Sequence, residues 1–138
     1  LELVQEVSEA DGLPGAVTFL EQAHAQGIKI ALGSASKNAP MILNKMGLIH
    51  LFDAIIDGNN VINGKPHPEV FLKGAAAIGL DPEECLVFED SIAGVQAAKT
   101  GGMSCVGIGT PETLEGADLH FTALGDTTPT ELVACFNM

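Results

Sequence analysis

The chain has 138 residues, 46% of them apolar, which is enough to line the core of one domain of ordinary size. Six Lys and Arg against eighteen Asp and Glu leave a formal net charge of −12, which repels the phosphate backbone of a nucleic acid and the anionic face of a membrane, so neither is an expected partner. Cys85, Cys105 and Cys135 are widely spaced and no apolar run approaches about 18 residues, which argues against a disulfide framework, a zinc knuckle or a membrane span and fits small core thiols in a reduced cytoplasm.

Along the chain, Pro14 and Gly15 open a helix that carries Val17, Leu20 and Ala23 on one face, and residues 28–33 then read as a buried strand. A helix is expected over 39–45 and a strand over 54–56. Turns follow over 58–64, where Asn59, Asn60 and Asn63 cluster. Pro68 takes the first turn of a helix bearing Phe71, Ala75 and Ile78, before a strand at 85–88 and a helix at 92–100. Strands at 105–108 and 119–121 and a helix at 130–136 complete the pattern. Gly27, Gly47, Gly79 and Gly101 fall where helices should stop, since glycine accepts the left-handed conformation that ends them.

Strands alternating with helices imply an α/β fold, a parallel sheet with helices on both faces, because parallel neighbours need crossover connections and these are usually helical. Ligands in such folds gather beyond the carboxyl ends of the strands. Three strand ends therefore matter most.

The first runs into Gly33-Ser34-Ala35-Ser36-Lys37-Asn38, where small residues, hydroxyls and a helix start all favour an anion; the alternative is an ordinary capped turn. In the second, Gly64-Lys65-Pro66-His67-Pro68-Glu69, the prolines hold the chain extended around His67 and restrict Lys65, whose ammonium suits a phosphoryl oxygen; the alternative is a solvent-facing lysine before a helix. His67 has no evident acid–base partner and reads as structural or incidental. The third, Cys85-Leu86-Val87-Phe88-Glu89-Asp90-Ser91, ends an apolar strand on two adjacent carboxylates, an arrangement that calls for a neutralising cation, with oxygen donors selecting a hard ion such as Mg2+. Its alternative has Asp90 or Ser91 capping the next helix with Glu89 left in solvent.

These residues resemble the second, third and fourth motifs of the haloacid dehalogenase superfamily of phosphatases and phosphomutases, and the resemblance covers essentially the whole chain. The string Ser34-Ala35-Ser36-Lys37-Asn38, with Gly64-Lys65-Pro66 and Phe88-Glu89-Asp90-Ser91-Ile92-Ala93-Gly94, is most similar to the β-phosphoglucomutase branch. The resemblance implies a three-layer, Rossmann-like core in which Ser34, the Ala35 amide and Lys65 hold a transferring phosphoryl group, Ser36, Lys37 and Asn38 grip the second phosphate of a sugar bisphosphate, and Glu89 and Asp90 bind Mg2+. The expected substrate is a sugar phosphate, and the expected assembly a monomer or weak oligomer.

The superfamily's chemistry begins with an Asp-x-Asp strand that this sequence does not contain. Residues 1–12 resemble the end of a helical cap returning to a core at 13–138, so the sheet is expected to be incomplete at its N-terminal strand, with the positions beside residues 28–33 and 85–88 open. Unpaired buried backbone groups cost about 1 to 3 kcal/mol each against a total stability of about 5 to 15 kcal/mol, so the chain is expected to need the missing N-terminal segment as a partner. Three functions follow from this reading: a β-phosphoglucomutase-like isomerase, a sugar-phosphate phosphatase using the same site, and a non-catalytic phosphate-binding module. A dinucleotide-binding fold is set aside, because no Gly-x-Gly-x-x-Gly follows a strand.

Overall fold

The computed structural model of the protein describes residues 2–5, 16–33, 41, 44–45, 47–122 and 126–136. Strand β1 (Glu2–Gln5) is followed by α1 (Ala16–Ala25), β2 (Lys29–Gly33), β3 (Ala54–Ile56), α2 (Glu69–Ala77), β4 (Cys85–Glu89), α3 (Ile92–Thr100), β5 (Ser104–Ile108), β6 (Leu119–Phe121) and α4 (Pro129–Phe136). The six strands form one sheet in the order β3-β2-β1-β4-β5-β6, and all five pairings are parallel. The strands and helices read from the sequence are thus present, apart from the helix at 39–45, most of which lies outside the described residues.

The centre of the sheet differs from expectation. Glu2–Gln5 lies in the position between β2 and β4 that the sequence reading left open, with Leu3 opposite Ile30 on one side and Leu86 on the other. The interior edges are thereby closed. A segment read as the end of a cap, with the adjacent apolar residues Leu3 and Val4, serves as a strand once two exposed ladders stand on either side of it.

Residue parity along the strands divides the core into two layers. Ile30, Leu86, Phe88, Val106 and Ile108 pack with Phe19, Leu20 and Ala23 of α1 and Leu132 of α4, whereas Ala31, Cys85, Val87 and Cys105 pack with Val70, Phe71 and Ala75 of α2 and Val95, Ala97 and Ala98 of α3. Both faces of the sheet are covered, which is why the strands read as apolar runs rather than as an alternation. The same parity sends Glu89, two residues beyond Val87, toward the α2/α3 layer.

Two aspartates fix the amino-terminal edge of the sheet. The Asp53 carboxylate accepts the Ile30 N–H at 2.7 Å just before β3, and that of Asp118 accepts the Cys105 N–H at 2.7 Å just before β6 while pairing with Lys99. Each satisfies a donor on the neighbouring strand beyond the reach of the ladder.

Three local expectations need correction. Gly101 ends α3 in right-handed geometry, and it is Gly102 that takes the left-handed conformation (φ +81°), because the chain makes one further turn before β5. Gly64 to Pro68 is a turn, with the His67 N–H donating to the Gly64 carbonyl at 3.1 Å, not an extended stretch. Cys135 is exposed on α4, unlike Cys85 and Cys105, since the apolar side of that short helix is used by Leu132.

Phe19 is 1% exposed and meets the Phe88 ring edge-on, with centroids 5.2 Å apart, so it ties α1 to the sheet centre. Phe19→Ala should lower stability by about 3 to 5 kcal/mol in urea unfolding. A loss below about 1 kcal/mol would show that α1 is not held through this contact.

Candidate active site

The site is built at the carboxyl end of β4. Glu89 is 1% exposed, and its carboxylate accepts from four donors: Oε2 from the Lys65 ammonium at 2.8 Å, and Oε1 from the Asp90 N–H at 3.0 Å, the Ser91 N–H at 3.2 Å and the Ser91 hydroxyl at 3.1 Å. Ser91 is also the N-cap of α3, its oxygen accepting the Gly94 N–H at 3.1 Å. Helix capping therefore falls to Ser91, while Glu89 is buried and ion-paired, not left in solvent.

Lys65 arrives from the turn before α2, across a cis Lys65–Pro66 peptide bond. Its ammonium lies 5.0 Å from the centroid of the Phe71 ring, a cation–π arrangement, and its side chain is only 13% exposed. Phe71 also lines the end of β2, since a Cβ on Gly33 would lie 3.0 Å from Val70 and 3.5 Å from Phe71. The carboxyl end of β2 and Lys65 thus share one wall.

Asp90 is exposed beside this pair. Partial burial, followed by a hydrogen bond and charge repulsion from Glu89, pushes its carboxyl above the ordinary aspartate range, with Lys65 acting in the opposite direction. Two carboxylates thus face one ammonium. That surplus of negative charge on hard oxygen donors fits a magnesium ion, which characteristically keeps several waters and takes one or two carboxylates along with a substrate phosphate. Among the described residues no third His, Cys, Asp or Glu joins them.

Of the sites read from the sequence, Lys65, Glu89 and Asp90 come together as expected. Ser34, Ala35, Ser36, Lys37 and Asn38 lie outside the described residues. His67 is structural: its Nδ1 accepts the Glu69 N–H at 3.1 Å. Cys105 lies buried in the same layer, where burial and the charges of Glu89 and Asp118 push its thiol up to about 12.

The sequence reading missed Glu69 and Phe71. Glu69 folds back on the preceding loop, accepting the Ile62 N–H at 2.8 Å, the Asn63 N–H and the Asn63 side-chain amide at 3.1 Å each, and pairing with Lys73. Lys73 in turn donates to the Asn60 carbonyl, and Asp57 accepts the Asn59 N–H at 2.8 Å, so the segment leading into Lys65 is braced along its length. An acid in the first turn of a helix was a visible signal, but it fitted the helix dipole equally well. Phe71 fitted the core, and part of it does belong there.

Residues 2–102 match the family of haloacid dehalogenase-like hydrolases. The chain belongs to that family. It is 40% identical to the β-phosphoglucomutase of Bacillus subtilis over 126 residues, which cover 91% of this chain and 56% of that protein. It is also 40% identical over 79 residues to the fructose-1-phosphate phosphatase YqaB of Escherichia coli, covering 57% of this chain and 42% of the relative. The crystal structure of a β-phosphoglucomutase from Clostridium difficile superposes with a TM-score of 0.87 at 36% identity, covering 95% of this chain and 59% of that one. The chain thus spans a little over half the length of the two β-phosphoglucomutases.

Two predictions follow from these contacts. Replacing Lys65 by Met should cost about 3 kcal/mol or more in metal-free buffer, because it strands a buried carboxylate, and added Mg2+ should recover part of that loss by supplying the missing positive charge. Equal losses with and without Mg2+ would separate the ion from Glu89. For Glu69, the Ile62 amide is the main cause of a carboxyl held at about 2 instead of 4.5. A lowered folded-state value contributes stability that is present above the unfolded value and lost as pH falls toward the folded one. Acid unfolding followed between pH 4.5 and 2 should therefore be shallower for Glu69→Gln than for the parent, and identical profiles would remove Glu69 from this role.

Proposed function

We propose that this chain provides the phosphoryl- and magnesium-binding part of a sugar phosphomutase of the β-phosphoglucomutase kind, one that interconverts β-glucose 1-phosphate and glucose 6-phosphate through a bisphosphate. The observation that carries the proposal is the buried Lys65–Glu89 pair beside Asp90 at the end of β4, in a chain that matches a β-phosphoglucomutase over nine-tenths of its length.

In this reading Lys65, Ser34 and the Ala35 amide receive the oxygens of the phosphoryl group in flight. Transfer of a phosphoryl group spreads charge over these oxygens, so fixed cationic and N–H donors supply much of its stabilisation. Phe71 below the ammonium and Glu89 beside it hold Lys65 in one place, so little reorganisation is needed as charge develops. Glu89 and Asp90 would hold the magnesium ion, which supplies charge neutralisation to the phosphate when bound. Ser36, Lys37 and Asn38 would hold the second phosphate while the bisphosphate turns over, a demand that a mutase makes and a simple monophosphatase does not.

The nucleophilic and acid–base aspartates belong, on this proposal, to an Asp-x-Asp strand outside the present sequence. The fructose-1-phosphate phosphatase relative supports the second reading, in which water accepts the phosphoryl group.

Incubating the whole natural protein with β-glucose 1-phosphate, Mg2+ and a trace of glucose 1,6-bisphosphate should yield glucose 6-phosphate. Lys65→Ala should reduce turnover by about 10²- to 10³-fold, and Lys37→Ala should raise the bisphosphate concentration needed for half-maximal rate. Release of inorganic phosphate without glucose 6-phosphate, unaffected by Lys37→Ala, would replace the mutase with the phosphatase.

A further inference from the structure

Gly94 sits in the first turn of α3, where its backbone is ordinary right-handed helix and an alanine would be the better helix former. Nothing in the local backbone calls for glycine. The space around it does: a Cβ at this position would lie 1.9 Å from Cδ, 2.1 Å from Cγ and 2.2 Å from Oε2 of Glu89. These are far inside van der Waals contact, so the glutamate side chain occupies the volume that any other residue at position 94 would fill.

A flexible side chain can often swing away from such an intrusion. Glu89 is not free to do so, because its carboxylate is fixed by Lys65 on one oxygen and by the Asp90 amide, the Ser91 amide and the Ser91 hydroxyl on the other. The Gly94 N–H also donates to Ser91 Oγ, whose hydroxyl in turn donates to Glu89 Oε1, so the missing side chain and the amide of one residue act on the same carboxylate.

We infer that Gly94 is a positioning residue for the cation site: its lack of a side chain is what allows Glu89 to lie folded against α3 with its carboxylate between Lys65 and Asp90. The inference rests on the proposed metal-binding role of Glu89 and Asp90 and assigns to Gly94 a part in cation affinity rather than in the helix as such. A helix with no such neighbour would be improved by alanine here, whereas this one gives up helix propensity to make room for an acid.

The test is a cycle of Gly94→Ala, Glu89→Ala and the double variant in the whole natural protein, with two readouts. Binding of Mn2+ as a spectroscopic substitute for Mg2+, followed by the loss of the free-ion electron paramagnetic resonance signal, should weaken at least tenfold in Gly94→Ala. Thermal unfolding without metal should show Gly94→Ala lowering the Tm when Glu89 is present and leaving it unchanged or raised when Glu89 is already Ala, since the obstruction has gone and only the gain in helix propensity remains. If Gly94→Ala alone does not fold, recovery of a folded double variant supports the same coupling, and its failure to fold overturns it. Parental Mn2+ affinity in Gly94→Ala, or an equal fall in Tm in both backgrounds, likewise overturns the inference. Absence of Mn2+ binding by the parent protein would sink the metal reading itself, while the thermal cycle would still decide whether Gly94 makes room for Glu89.

Discussion

The site depends on one buried ion pair. A carboxylate that is 1% exposed at the end of an apolar strand is tolerable only if its charge is matched, and the Lys65 ammonium at 2.8 Å, with three further donors from the start of α3, does this. Several other features can be understood as keeping those two groups together. Parity along β4 sends Glu89 toward α2 and α3 instead of α1 and α4. Phe71 gives the lysine an apolar and electrostatically favourable floor, and Glu69 fastens the loop from which Lys65 is delivered. Because both groups are held at short range, the pair sets the mutual orientation of the β3–α2 connection and the β4–α3 turn.

The second acid gives the site its direction. One ammonium against two carboxylates leaves an uncompensated charge, and repulsion from Glu89 adds to partial burial in pushing the Asp90 carboxyl up. A site already neutral would have little use for a divalent ion. A site with two unpaired buried acids would cost too much to fold. The observed balance lies between these limits.

Much of this arrangement could be read from the order of residues, and the reasons are physical. Strands buried on both faces leave continuous apolar runs, so β3 and β6 were found at their observed limits and β2, β4 and β5 to within a residue. Adjacent acids at the end of such a run have few structural explanations, which made Glu89 and Asp90 legible. Lys65 was found because it shares a strand-end region with them. Phe71 and Gly94 were not legible in the same way, since a phenylalanine in a helix reads as core and a glycine reads as a place of poor helix propensity. Their roles depend on what lies opposite in space, and Gly94 meets Glu89 only because α3 folds back along the strand that precedes it. The position of Glu2–Gln5 was missed for a different reason: four residues carry too little pattern to show that two long-range ladders would take them up.

That four-residue ribbon has a mechanical consequence. With β1 in the middle, the sheet consists of a two-stranded wing, β2 with β3, and a three-stranded wing, β4 with β5 and β6, that meet only through the backbone hydrogen bonds of Glu2–Gln5. The wings also touch through the helical layers, but among the described residues the sheet itself has no second bridge. Because Glu2 pairs with both Lys29 and Cys85, the union of the wings waits on a contact far apart along the polypeptide, the kind that forms late when chain entropy governs the order of events. Lys65 and Glu89 come from opposite sides of that seam, so the strand that joins the wings also sets the spacing of the two charges.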